Sequence, residues 1–312
     1  MSSESILRAR IEKLALVIEY QKQILRDLEQ RMSDARRELN ATLDPVARLP
    51  VEISSDIFAR CIPDSLRPNS SEAPILFLHI CRIWRDIATS TPSLWTSISC
   101  DSVTDPAHLD IWLRRAQNHP LCISLHGNLN RDVVVAVQRH AHHVQVLKLE
   151  SSCHLERMGL TLFPSLTKLT LFNTTANTMF PDYLDILRFA PALAECHFIS
   201  VYQHVMVAGH QPVPFTHSSL RRLQLCDGKS ANATILLNYL TLPALENLYI
   251  SASGQLMPIH IASLLTRSLP PLQSLHAEGL PGMFHEFDQA LRLVPNVTDL
   301  TPEIPRTNRR SL

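Results

Sequence analysis

Glycine is scarce here, with seven in 312 residues. That leaves little scope for a glycine-rich loop wrapped around a phosphate. The one segment with a hint of such a loop, "CDGKSAN" at residues 226–232, fails on spacing. A phosphate loop needs a glycine five residues before its second one, and Leu223 stands there. The nucleophile-elbow, zinc-protease and dinucleotide fingerprints are missing as well. Charge of one sign is also missing. Lys plus Arg number 29 and Asp plus Glu number 29, so the formal net charge is zero and the pI is near 7.3. Bulk electrostatics then give no drive toward nucleic acid or an anionic membrane. The longest apolar stretch, around residues 73–78, is far too short to span a bilayer, and the charged N-terminus has no signal-peptide core. Seven widely spaced cysteines without a CxxC read as buried thiols of a reducing compartment. "RHAHH" at residues 139–143 puts three imidazoles together with no cysteine or acidic ligand at metal spacing, and reads as a solvated helix end. These absences together predict a cytoplasmic or nuclear protein that is not an enzyme and takes no cofactor or metal.

What is present falls into three zones. In residues 1–44, Leu7, Ile11, Leu14, Ile18, Gln21, Leu25, Leu28, Met32, Ala35 and Leu39 follow alternating steps of four and three. That is a heptad seam with no proline or glycine inside, and Pro45 stops it. A coiled-coil helix is expected, with a second copy bound through residues 7–39 as a candidate partner. A helix docked on its own protein stays open as the alternative. In a parallel pair Arg31 would face Arg36 of the other chain, which repels.

Residues 45–99 read as a small helical module. Ile53, Ile57 and Cys61 share one helical face, with Phe58 beside them. A polar loop rich in Pro, Ser and Asn follows at 63–74. Then "ILFLHICRIWRDIATSTPSLW" carries Leu76, Ile80, Trp84 and Ile87 at helical spacing, and Thr91-Pro92 ends the helix.

Residues 100–312 hold repeats. "VQVLKLESS", "LTKLTLFNT", "LAECHFISV", "LRRLQLCDG", "LENLYISAS" and "LQSLHAEGL" align on Leu147, Leu169, Cys196, Leu223, Leu248 and Leu275, with a weaker member at Leu300. "LCISLHGN" near Ile123 supplies a first strand. Successive steps are 22 to 27 residues, within the period of leucine-rich repeats. Most units run helix, proline, Leu-x-x-Leu-x-Leu, with Pro164, Pro191, Pro243, Pro271 and Pro295 in one slot. Helices are expected at 131–141, 181–190, 232–240, 259–268 and 284–293. The asparagine or cysteine that usually follows the strand is mostly missing; Ser151, Asn173 and Cys226 stand near its place. The fold class expected is therefore α/β: a coiled-coil helix, a helical module, then an irregular leucine-rich-repeat solenoid of parallel strands and helices. One unit cannot bury its leucine face alone, but stacked units share a core. Lys148, Lys168, Thr170, His197, Arg222, Gln224, Asn247, Tyr249, Ser274 and His276 lie between the leucines and are the candidate face for a protein substrate.

The middle module resembles the F-box. Leu49-Pro50, Glu52-Ile53 and Ile57-Phe58 match its opening. Ile80, Cys81, Trp84, Arg85 and Ile87, then Pro92, Leu94 and Trp95, match its end, in the right order and distance. The polar loop at 63–74 is longer than in many F-boxes. The whole layout is similar to the large F-box-like family of mushroom-forming fungi. The resemblance implies a substrate receptor of a Skp/cullin/F-box ubiquitin ligase that does no chemistry itself. Its Skp-type adaptor, and through it a cullin, would be bound by Leu49, Pro50, Ile53, Ile57, Phe58, Cys81, Trp84 and Ile87. The alternative is a structural protein that oligomerises through the N-terminal helix.

Overall fold

The computed structural model describes residues 3–63, 69–150, 161–172, 187–199, 213–227, 232–252, 258–278, 291–292, 294–295, 297 and 299–303. The protein is α/β, with one long N-terminal helix and a parallel sheet. It divides into two compact units. One comprises Met1–Ile62 with Asn69–Leu94, and the chain from Trp95 onward belongs to the other.

In the first unit, α1 (Ser3–Leu43) is one unbroken helix of 41 residues, about 61 Å long at the α-helical rise. Asp44 turns the chain: its Oδ1 accepts the Val46 N–H at 2.9 Å. The Arg48 guanidinium donates back to the Thr42 carbonyl. α2 (Val51–Arg60) starts directly after Pro50, whose carbonyl accepts the N–H groups of Ile53 and Ser54.

The stretch expected as one helix is two. α3 (Phe77–Ile80) ends at Cys81, which is extended at φ −154°, ψ 174°, and α4 (Arg82–Ser90) starts after it. The break changes which residues face inward. Phe77, Ile87 and Ala88 are buried, whereas Leu76 and Ile80, expected on the apolar stripe, are exposed. Phe58 stacks on Phe77 with centroids 4.2 Å apart, and Trp84 lies 4.9 Å from Phe58. These three rings are the centre of the unit, and aromatic packing of this kind adds to their large area burial. α4 ends before Thr91-Pro92, as the steric limit on a residue before proline requires.

In the second unit nine strands form one sheet. They are β1 (Ser97–Cys100), β2 (Leu121–Leu125), β3 (Val144–Leu149), β4 (Lys168–Phe172), β5 (Glu195–Ile199), β7 (Arg222–Asp227), β9 (Asn247–Ala252), β10 (Ser274–Glu278) and β11 (Asp299–Glu303). They lie in sequence order, and every pairing is parallel. β6 (Phe215–Thr216) and β8 (Leu240–Thr241) make a separate parallel pair. Four described helices lie in the crossovers: α5 (Pro106–Arg115), α6 (Arg131–Arg139), α7 (Asn232–Tyr239) and α8 (Pro258–Ser268).

The register follows the leucine alignment. Ile123, Leu147, Leu169, Cys196, Leu223, Leu248, Leu275 and Leu300 are successive cross-strand partners. Through Leu275 all are buried, as are the leading Leu166, Leu193, Leu220, Leu245 and Leu272. Burying a leucine contributes about 1.5–3 kcal/mol, which a lone strand in solvent would forgo.

Polar groups link one crossover to the next. His217 Nε2 donates to the Ala190 carbonyl at 3.1 Å, and Ser268 Oγ accepts the Leu242 N–H at 2.9 Å. One Arg267 nitrogen donates to the carbonyls of Leu237 and Leu240, both at 2.6 Å.

The sheet begins one strand earlier than expected, at β1, and α5 was not anticipated. α5 is capped by Asp105, which accepts the Ala107 N–H at 2.9 Å, and proline opens its first turn. It delivers Trp112, whose Nε1 donates to the Trp95 carbonyl at 2.9 Å with the rings edge to face at 5.0 Å. The Arg115 guanidinium lies over Trp95 at 4.5 Å. Trp95 thus serves the start of the sheet unit. Cys100 and Cys196 are buried as expected, but Cys61 is exposed. Ser151, Cys153 and Asn173, and most of the helices expected at 181–190 and 284–293, lie outside the described residues.

Candidate protein-docking surfaces

Two faces of α2 have opposite characters. Ser54 and Phe58 point inward. Ile53 is 50% exposed, Leu49 40% and Ile57 39%, and Pro50 and Val51 are exposed with them. Apolar side chains left open side by side on a short helix carry an uncompensated hydration cost, which a partner relieves.

Two of the eight residues expected to touch an adaptor belong elsewhere. Phe58 is 1% exposed and Ile87 8%. Phe58 is one of the three packed rings and Ile87 is buried on α4, so both serve the module's interior. Cys81 and Trp84 are intermediate. Trp84 Nε1 donates to Asp44 Oδ2 at 2.6 Å, and the Cys81 thiol reaches the same oxygen at 3.7 Å. With Leu43 and Ile80 these residues line an open groove of about 330 Å³. Ser55 and Thr91 hydroxyls meet at 2.9 Å and fix α2 against the end of α4.

The seam of α1 is uncovered. Leu7, Ile11, Leu14, Ile18, Leu25, Leu28, Met32 and Leu39 are all 49–66% exposed. Its flanks carry ion pairs within the helix, including Lys22 to Glu19 at 3.4 Å and Arg31 to Asp27 at 2.9 Å. Exposed pairs of this kind contribute only about 0.3–0.5 kcal/mol each.

The strands present two polar rows between the buried ones. One runs Lys148, Thr170, His197, Gln224, Tyr249, His276; the other runs Lys168, Glu195, Arg222, Asn247, Ser274. All ten residues expected on this face fall in these rows, but Thr170 is 4% exposed. Its neighbours in register, Lys148 and His197, are longer and overshadow a threonine on strands about 4.8 Å apart.

Two carboxylates outside the expected set organise the face. Glu195 accepts Lys168 Nζ at 2.8 Å and an Arg222 nitrogen at 2.8 Å. The Lys168 hydrogen bond chiefly holds its carboxyl below the usual range, with the charges of Lys168 and Arg222 adding to it. Burial, then the positive charge of Lys168, keeps His197 below its ordinary value. Glu278 accepts His276 Nε2 at 2.7 Å and the Tyr249 hydroxyl at 3.0 Å, and the two rings stack at 4.6 Å and 6°. The hydrogen bond from His276 is also the main cause of its lowered pKa. Glu195 was findable, since it occupies the same column as Lys168 and Arg222. Glu278 lies two residues past His276, where the repeat pattern makes no demand.

The thiol of Cys226 is pushed up, mainly by burial, away from the thiolate a nucleophile needs. In "RHAHH", His140 sits 3.8 Å from Asp110, and burial is the main cause lowering both His140 and His143. Among the described residues no group of three metal-ligating side chains occurs, and no helix is long and apolar enough to cross a membrane. Residues 228–231 of "CDGKSAN" lie outside the described set. No family model, curated protein or solved structure matches the chain.

Proposed function

We propose that this protein is a substrate receptor of a Skp/cullin/F-box ubiquitin ligase. In this reading residues 45–99 are an F-box-like module that binds a Skp-type adaptor, and a cullin through it. The parallel-sheet unit is an irregular leucine-rich-repeat solenoid that holds a protein substrate on its polar rows. The protein does no chemistry; it raises the substrate's effective concentration near a ubiquitin-charged enzyme.

One observation carries the proposal. Of the residues matching the F-box opening, Leu49, Pro50, Ile53 and Ile57 stand exposed while Phe58 is buried. A motif kept only for a core would have no reason to leave those four outside. The nine strands in sequence order support the solenoid reading.

The test is co-expression of the full chain with a Skp adaptor, followed by a sizing column, beside an Ile53→Asp/Ile57→Asp variant. Co-elution of wild type and its loss in the folded variant are expected. Wild type running alone overturns the proposal. The second reading, a scaffold protein that oligomerises through α1, is favoured by the uncovered seam, and would then lead.

A further inference from the structure

We infer that α1 pairs with α1 of a second copy in antiparallel orientation, slid by one heptad from full overlap. The inference goes beyond the receptor reading and does not depend on adaptor binding.

The apolar seam alone fixes no orientation, because its leucines and isoleucines fill the core of either arrangement. The charged flanks separate them. In a parallel pair Arg31 meets Arg36 of the other copy twice, and no opposite charges meet. In a fully overlapped antiparallel pair Lys22 meets Lys22 and Arg8 meets Arg36 twice, against two attractive meetings of Arg10 with Glu38. Slid by seven residues, the antiparallel pair brings Lys22 against Glu29 of the other copy twice and sets no like charges together. Its core layers then include Leu14 with Leu39 and Leu25 with Leu28. Lys22 is 62% exposed and Glu29 is exposed, so both can turn to a partner. Charge pairing of this kind selects orientation and register more than it adds affinity.

The test is sedimentation equilibrium of the full chain at low salt, with Lys22→Glu, Glu29→Lys and the double exchange. A wild-type dimer is expected. Each single exchange should weaken association about tenfold, and the double exchange should restore it to within about twofold. Lys22 and Glu29 lie seven residues apart on one helix, and Lys22 is bonded to Glu19 there, so rescue reports pairing between copies. Circular dichroism checks that every variant keeps its helix. A wild type that stays monomeric overturns the inference. So do single exchanges without effect, or a double exchange weaker than either single one. The Ile53→Asp/Ile57→Asp variant should dimerise like wild type, which keeps this outcome separate from that of adaptor binding.

Discussion

His217 is expected to make the protein's stability fall in acid. It is buried, its Nε2 donates to the Ala190 carbonyl, and its Nδ1 has no hydrogen-bond partner among the described residues. Burial is the main cause that lowers its pKa from the ordinary value of 6.5. Well above pH 6.5 the imidazole is neutral whether folded or unfolded, and stability does not depend on it. Below that, the unfolded chain takes up a proton that the folded site resists, so stability falls until pH reaches the lowered folded value. Urea unfolding at about pH 7.5 and about pH 5.5 should show a larger loss in wild type than in His217→Gln, which removes the titration and keeps a donor. Equal losses would mean that other groups, such as the likewise lowered His140 and His197, carry the acid response. His217 was invisible in the sequence because it lies between the repeated strings, where no pattern tells a buried imidazole from a surface one.

Among the elements, α2 divides labour most clearly. Its ten residues place Phe58 in a ring cluster and Ile53 in solvent. Phe58→Ala should cost about 3–5 kcal/mol, because it removes two ring contacts and leaves a cavity. Ile53→Ala should shift stability by no more than about 0.5 kcal/mol. Chemical denaturation of the two variants checks the contrast. Helical spacing put Ile53 and Ile57 on one face, but spacing cannot say whether that face looks in or out. The resemblance, which groups Phe58 and Ile87 with the contacts, is equally blind to which side of a helix looks inward. The break at Cys81 was also illegible, since an apolar run carries no mark of an extended residue. The strands were easier. Leu-x-x-Leu-x-Leu fixes period, face and register together, so their alignment matched the cross-strand partners, whereas "SISC" of β1 lacks the leucines and escaped notice.

At the scale of the whole molecule, each interior strand of the sheet borders only the strands nearest to it along the chain. A defect should therefore spread locally. Leu223→Ala in β7 should cost about 2–5 kcal/mol. It should speed amide hydrogen exchange in the flanking β5 and β9 far more than in β1 and β2. Exchange read strand by strand checks this; uniform acceleration across all nine would show that the sheet opens as one body.

The same strand order bears on how the protein is made. A growing chain leaves the ribosome N-terminus first, and domains fold as they emerge. In a sheet whose order doubles back, an early strand waits, edge open, for a neighbour that does not yet exist. Here, within the nine-stranded sheet, the partner on one side of every strand from β2 onward has already been synthesised. Each new Leu-x-x-Leu-x-Leu can dock on a finished edge as it appears, so, apart from the outer edge of β1, only the newest edge of that sheet waits for a strand at any moment of translation.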